Sequence, residues 1–215
     1  MNIDIRSAKP GDAPFLAWVM LTAARSHLAH GIWERYVGGT ERDCLTFLES
    51  VACTEKLHLF HSSTFIVAEV NGRMAGGLSG YDPQKFGMKA FTQPVPEVHR
   101  KLGWTEEYQK EAIARYIPWT TCTPENIQGA WVVENVATVP EFRRQGIINV
   151  LLTKVIEIGH QKGFKKAQIG VMIGNTPARN AYEKSGFMFV DEKRNPDFMA
   201  AIGSPGITRL VRKIA

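Results

Sequence analysis

The chain has 215 residues, 44% of them hydrophobic, enough to bury one sizeable core and too few for two comfortable domains. With 26 Lys+Arg against 21 Asp+Glu the formal charge is +5, which would attract an anionic partner but falls short of a nucleic-acid signature. No run of about 18 apolar residues occurs, and Asp4 and Arg6 break the start where a signal peptide needs an apolar stretch, so no membrane association and a cytoplasmic location are expected.

Ile3 and Ile5 alternate with polar residues as a first strand. Asp12 is placed to cap a helix carrying Phe15, Leu16, Val19, Met20 and Ala23. Thr40, with Asp43 three residues on, reads as the capping box of a second helix whose face is Cys44, Phe47, Leu48 and Val51. Phe65 to Val70 and Met74 to Tyr81 flank Asn71-Gly72, which predicts a hairpin through a type I′ turn. The segment from Pro83 to Gln128 is too long for a structureless loop, so it is expected to be a helical insertion on the substrate side. Its best helix begins after Thr105, carries Tyr108, Ala112, Ile113 and Tyr116, and stops before Pro118.

From Ala130 strands and helices alternate: strand to Val139, helix from Gly146 to Lys162, strand from Lys166 to Val171, helix from Pro177, then strands near Phe187 and Ile207. This order predicts an α/β (α+β) fold with a mixed central sheet of about seven strands flanked by helices. One domain covering 1–215 is expected, with no internal repeat and no linker.

The chemistry concentrates where strand Val132–Val139 meets Pro140 and then Arg143-Arg144-Gln145-Gly146-Ile147-Ile148-Asn149. A helix start has backbone N–H groups without intrahelical partners and a positive dipole end. Gly146 there lets an anion approach, and Arg143 and Arg144 add charge. Taken alone this could be an ordinary polar loop. A second stretch, Asn175-Thr176-Pro177-Ala178-Arg179-Asn180-Ala181-Tyr182-Glu183-Lys184-Ser185-Gly186-Phe187, changes the odds. Thr176 is a good cap, Pro177 suits a first turn, and Gly186 suits the left-handed residue that ends a helix. Ala178 and Tyr182 share a face, giving the phenol room to reach a ligand.

Together the two stretches resemble the cofactor-binding motifs of the GNAT superfamily of acyl-CoA-dependent N-acyltransferases. One is the Arg/Gln-x-x-Gly-x-Gly/Ala motif, present as Arg143-Arg144-Gln145-Gly146-Ile147-Ile148; the other is Asn-x-x-Ala-x-x-x-Tyr-x-x-x-Gly-Phe, present as Asn175, Ala178, Tyr182, Gly186 and Phe187. Five fixed positions would recur by chance in about one of several thousand chains of this length. The sequence departs at Ile148, where the family has Gly or Ala. Its side chain is expected to turn into the core.

The resemblance implies that acetyl-CoA lies in a V between splayed parallel strands, here Ala130–Val139 and Lys166–Val171, and that a primary amine attacks it directly. It implies that backbone groups at Val136, Ala137 and Thr138 meet the pantetheine arm. Arg143, Arg144, Gln145, Gly146, Ile147, Ile148 and Asn149 would hold the pyrophosphate, and Asn175 would hydrogen-bond the cofactor. Tyr182, a phenol of pKa about 10, suits protonation of a thiolate whose conjugate acid has a pKa of about 8.5. Glu134, two residues before Val136 and so expected on the same sheet face, is the candidate general base. At Gly170, where some relatives carry a glutamate base, this chain has no carboxylate.

Other residues read as structural. Cys44, Cys53 and Cys122 lack CxxC spacing and are expected to be small buried hydrophobes. His27 with His30 and His58 with His61 have no Glu or Cys partner at ligand spacing, and the chemistry needs no metal. Trp104, Tyr108, Tyr116 and Trp119 could line an acceptor pocket, but aromatics at helical spacing are more often core. The expected partner is a small-molecule or peptide amine, with no nucleic acid, and a homodimer stays open. The rival reading is a non-catalytic acyl-CoA sensor.

Overall fold

A computed structural model describes residues 2–214. Strand β1 (Ile3–Ser7) precedes helices α1 (Ala13–Arg25), α2 (Ile32–Val37) and α3 (Glu41–Ala52). The hairpin β2 (Phe65–Val70) and β3 (Arg73–Tyr81) follows, turning through Asn71 and Gly72, both at positive φ as a type I′ turn requires. Four helices then fill the insertion: α4 (Pro83–Phe86), α5 (Met88–Phe91), α6 (Val95–Lys101) and α7 (Glu106–Cys122). The remainder is β4 (Trp131–Thr138), α8 (Ile147–Gln161), β5 (Lys166–Met172), α9 (Thr176–Lys184), β6 (Met188–Arg194), α10 (Pro196–Ile202) and β7 (Gly206–Lys213).

The seven strands form one mixed sheet in the order β1-β2-β3-β4-β5-β7-β6, antiparallel at every neighbour except the parallel pair β4 and β5. One face is covered by a core that includes Leu16 and Met20 of α1, Phe47 and Leu48 of α3, and Phe198 of α10. The other face is covered by α8, whose Leu151 and Leu152 are fully buried with Phe187 beside them. Each such leucine contributes about 1.5–3 kcal/mol of burial, which fixes α8 on the sheet and so places its N-terminus.

Local chemistry explains most boundaries. Thr40 and Asp43 make the expected box, the Asp43 carboxylate accepting from the Thr40 N–H at 2.8 Å. Four details differ from expectation. Asp12 precedes α1, but its carboxylate accepts from the Lys9 N–H and pairs with Arg6 at 2.7 Å instead of capping. Asn175, not Thr176, caps α9, accepting from the Ala178 N–H at 3.2 Å. Helix α7 runs through Pro118 instead of stopping before it. An internal proline costs about 3 kcal/mol, offset here by tertiary packing: Cys122 is fully buried and Trp119 lies 5.5 Å from Phe198 between ring centres. Cys44 and Cys122 are buried as expected, whereas Cys53 is exposed because it ends α3 at the surface.

Two features of β4 shape the site. It pairs with β5 only at Trp131–Ala167, Val132–Gln168 and Val133–Ile169; beyond these the strands diverge. In the same stretch its pairing with β3 shifts register, so that Asn135 and Val136 stand opposite the single residue Leu78. Asn135 takes φ 55°, a left-handed conformation that Asn tolerates better than most residues, and its amide donates to Ser79 Oγ at 3.0 Å. Ser79 Oγ donates in turn to the Glu134 carbonyl at 3.2 Å, clamping the bulge. The bulge overturns the expectation that Glu134 and Val136 share a face: Val136 packs on the α8 side with Val133, while Ala137 joins the core on the α1 side with Val132.

Replacing Asn135 with Val, which combines a β-branched side chain with positive φ and loses the bond to Ser79, is expected to cost about 2–3 kcal/mol. Asn135→Gly should cost less than half of that. Urea unfolding of both variants checks this, and equal losses would contradict the role of the left-handed backbone.

Candidate active site

Helix α8 begins at a loop built to present N–H groups. Gly146 holds φ 84° at its N-cap, Arg144 holds φ 61°, and the first helical bond runs from Val150 N–H to the Gly146 carbonyl. The N–H groups of Arg144, Gln145, Gly146, Ile147, Ile148 and Asn149 therefore precede the intrahelical ladder, and none donates to a backbone acceptor among the described residues. A Cβ built on Gly146 meets nothing within 4 Å, so the cradle is open on the side an anion would approach. Arg143, Arg144 and Gln145 are exposed around it; Gln145 reaches back to the Glu141 carbonyl at 2.8 Å and Arg143 to the Thr138 carbonyl at 3.4 Å. Ile147 is the fully buried residue of this turn, and Ile148 is half-buried against the same core.

Val136, Ala137 and Thr138 lie past the point where β5 diverges. Ala137 and Thr138 pair with Gly77 and Gly76 of β3, leaving the β5-facing edge of β4 without a strand partner. The Thr138 hydroxyl is enclosed and finds no hydrogen-bond partner among the described residues. Asn175 stands at the start of α9 with its side chain committed to protein: its oxygen caps the helix, and its nitrogen donates to Ser26 Oγ at 2.7 Å. It thereby ties α9 to the turn after α1.

Glu134 sits at the mouth of the divergence on the α1 side. Burial pushes its carboxyl up to about 7, and the phenol of Tyr81 beside it, by hydrogen bonding to the charged form, holds that rise in check. Tyr81 pairs with Val132 while Ser79 pairs with Glu134, so Tyr81 is the diagonal neighbour of Glu134. Tyr116, delivered by α7, faces the same carboxylate. Burial first, and the charge of Glu134 second, raise the pKa values of both tyrosines far above the phenol range. Tyr182 is 6% exposed on the α8 side, beside Phe187, and burial alone raises its pKa. A Cβ at Gly170 would touch only Ile207, at 3.5 Å, so this position has room but no acid.

Sequence reasoning missed Asn135 and Tyr81. The signal for the first was the polar pair Glu-Asn inside an otherwise apolar strand, which suits a bulge. Tyr81 had no signal without the register between β3 and β4. The other aromatics of the insertion are structural: Trp104 stacks on His99 at 4.4 Å and on Phe47 at 5.4 Å, and the Tyr108 hydroxyl donates to the Val37 carbonyl. His58 is fully buried, accepts from the Phe60 N–H at 3.1 Å, and is pushed down to about 4 by burial, so it is neutral. No group of three or more His, Cys, Asp or Glu placed to hold a metal ion occurs among the described residues, and no helix there is long and apolar enough to cross a membrane.

A family model for the acetyltransferase (GNAT) family matches residues 32–187. No curated protein matches the chain. Among solved structures, that of an acetyltransferase is 20% identical with TM-score 0.68, over 99% of this chain and 100% of that one. An N-acetyltransferase from Staphylococcus aureus Mu50 is 19% identical with TM-score 0.66, over 97% of this chain and 99% of that one. N-acetylglutamate synthase from Neisseria gonorrhoeae, solved with coenzyme A and N-acetyl-glutamate, is 13% identical with TM-score 0.52, over 100% of this chain and 36% of that one. At these identities the likeness establishes the fold, an open mixed sheet of seven strands with flanking helices. With the family model spanning most of the chain, the protein belongs to the GNAT family of acetyltransferases, enzymes that use acetyl-CoA to acetylate amines.

Proposed function

We propose that this enzyme acetylates the primary amine of a small molecule, with Glu134 removing the proton of the amine and Tyr182 returning one to the departing sulfur. The observation that carries this reading is the divergence of β4 from β5 beyond Val133, with Glu134 and the open N–H row of α8 on its margins. Glu134 lies on the α1 face of the sheet and Tyr182 on the α8 face. The gap between the two strands is where one substrate pair could address both.

The residues fit acetyl-CoA. Six N–H groups from Arg144 to Asn149, backed by the α8 dipole and two exposed arginines, suit a pyrophosphate. The unpaired edge of Val136 to Thr138 suits the amide groups of a pantetheine arm, and Asn175 contributes by fixing the start of α9. When bound, acetyl-CoA supplies an acetyl thioester whose carbonyl carbon accepts the amine and whose sulfur leaves.

The chain handles the protons. An amine of pKa about 10 arrives charged at neutral pH, and a carboxylate raised to about 7 is a stronger base than an ordinary glutamate while still partly ionised at that pH. The floor of Glu134, Tyr81 and Tyr116 is acidic and aromatic, which suits a cationic amine. Tyr182, its pKa raised by burial, keeps its proton throughout the working pH range; burial makes it a weaker acid, and the same desolvation would make a thiolate leaving beside it a stronger base. Helix α7 brings Tyr116 close enough to Glu134 to feel its charge. That cover supports a compact acceptor over a polypeptide running through an open groove.

Free-thiol release measured over a panel of amines and peptides should find turnover with a small amine, with kcat/KM rising through pH 7 beneath the further rise from the amine itself. Glu134→Gln should remove the limb near 7 and cost about 10²–10⁴-fold, and Tyr182→Phe should bind CoA in calorimetry as the parent does yet lose a comparable factor in kcat. An unchanged profile in Glu134→Gln would move the base elsewhere, and an unchanged kcat in Tyr182→Phe would end the acid role.

The same carboxylate should govern stability. Its folded pKa of about 7 exceeds the ordinary 4.5, so between those values the native state binds more protons than the unfolded state, and stability falls as pH rises through that window. Glu134→Gln should therefore be more stable than the parent at pH 8, by roughly 3 kcal/mol, with the difference shrinking toward pH 4.5. Urea midpoints at both pH values decide it.

A further inference from the structure

Gly170 is exposed although it stands in β5, an inner strand of the sheet, between the buried Ile169 and Val171. Side chains alternate along a strand, and Ile169 and Val171 belong to the core on the α8 side, so the side chain that position 170 lacks would point to the α1 side. A Cβ built there meets only Ile207, at 3.5 Å, an ordinary contact. The backbone is also bare toward β4, because Ile169 is the last β5 residue paired with that strand. Glu134 follows Val133 as Gly170 follows Ile169. The two residues therefore stand across the mouth of the divergence on the same side of the sheet, their backbones about 5–6 Å apart.

The polar neighbours on that side are already engaged. Arg209, opposite Gly170 on β7, donates to both carboxylate oxygens of Asp191 and to the Glu125 carbonyl. Gln168 accepts from the Ile127 N–H and donates to Asn126 Oδ1, each at 2.7 Å. On the other flank stand Met172 and Ile207, paired with each other and part of the apolar core.

Helix α7 runs from Tyr116, close to Glu134, to Cys122, whose thiol donates to the Lys193 carbonyl of β6 at 3.1 Å, and so passes over β5 and β7. Trp119 lies between these two anchors, half-buried against the same core. The bare stretch at Gly170 thus offers a guest flat backbone and apolar or aromatic flanks, with the charge of Glu134 at one end.

We infer that Gly170 sets acceptor specificity: the primary amine carries a compact apolar body of about ring size, which lies on the bare backbone of Gly170 while the nitrogen stays beside Glu134. The inference rests on the acetyl-transfer reading above and adds the class of amine. The short reach from Glu134 to Gly170 limits the spacer between nitrogen and body to about two carbons.

The test measures kcat/KM by free-thiol release, with the full chain and acetyl-CoA, for phenethylamine, cyclohexylethylamine, ethylamine and 1,4-diaminobutane. The two ring amines should exceed the other two by about tenfold or more. Position 170 has ordinary strand backbone, so side chains are tolerated there. Gly170→Val should lower the ratio of phenethylamine to ethylamine by about tenfold or more, and Gly170→Ala, which adds only the contact with Ile207, should lower it less. Calorimetric CoA binding and urea midpoints like those of the parent are expected for both variants. A preference for ethylamine or the diamine, equal kcat/KM across the panel, or a ratio unchanged in both variants would overturn the inference and leave acetyl transfer to amines standing. Absence of turnover with every amine, despite CoA binding, would overturn both.

Discussion

Beyond Val133 and Ile169 the β4 and β5 backbones stop hydrogen-bonding to each other, and most of what is distinctive about the molecule depends on that separation. A parallel pair that continued would bury its edges and leave no passage between the two faces of the sheet. Here the bulge at Asn135 redirects β4 while it stays bonded to β3, so the strand bends away from one neighbour without losing the other. The clamp from Asn135 through Ser79 to the Glu134 carbonyl holds the bulge, and the leucines of α8 hold the helix whose N-terminus opens beside it. The site is thus a defect in sheet pairing kept in place by two well-packed faces.

The electrostatics of that defect favour function over stability. A half-buried glutamate beside the buried Tyr81 and the half-buried Tyr116 is costly when ionised, and the same loss of solvent brings its proton affinity near neutral pH. At the other end of the gap the cost is unpaired backbone N–H groups, tolerable in water and favourable against an anion. Both features are the kind of local strain that a protein retains where it works and would lose if selected for stability alone.

Much of this was legible in the residues. The hairpin at Asn71-Gly72, the Thr40 capping box and the family-like motifs at Arg143–Asn149 and Asn175–Phe187 each carry a local signal with a physical cause, and the family that the last two resemble is the one whose model matches residues 32–187. What escaped was set by tertiary context. Pro118 does not end α7, because packing of Trp119 and Cys122 outweighs one lost hydrogen bond. Helix α10 went unread although Asn195 caps it, Pro196 opens it and Gly203 closes it at φ 91°, a full set of boundary signals around a segment too short to show periodicity. The facing of Glu134 failed for a different reason: a period of two holds only while a strand is regular, and one extra residue at Asn135 reverses every side chain after it.

The central claim is that the gap between β4 and β5, with the N–H row of α8 at its margin, is where acetyl-CoA binds. A crystal structure of the chain with CoA tests it most directly. The account predicts pyrophosphate oxygens within hydrogen-bond distance of N–H groups between Arg144 and Asn149, and the pantetheine arm along Val136 to Thr138 with its sulfur between Glu134 and Tyr182. A pyrophosphate seated elsewhere, or an arm that bypasses the gap, would contradict it.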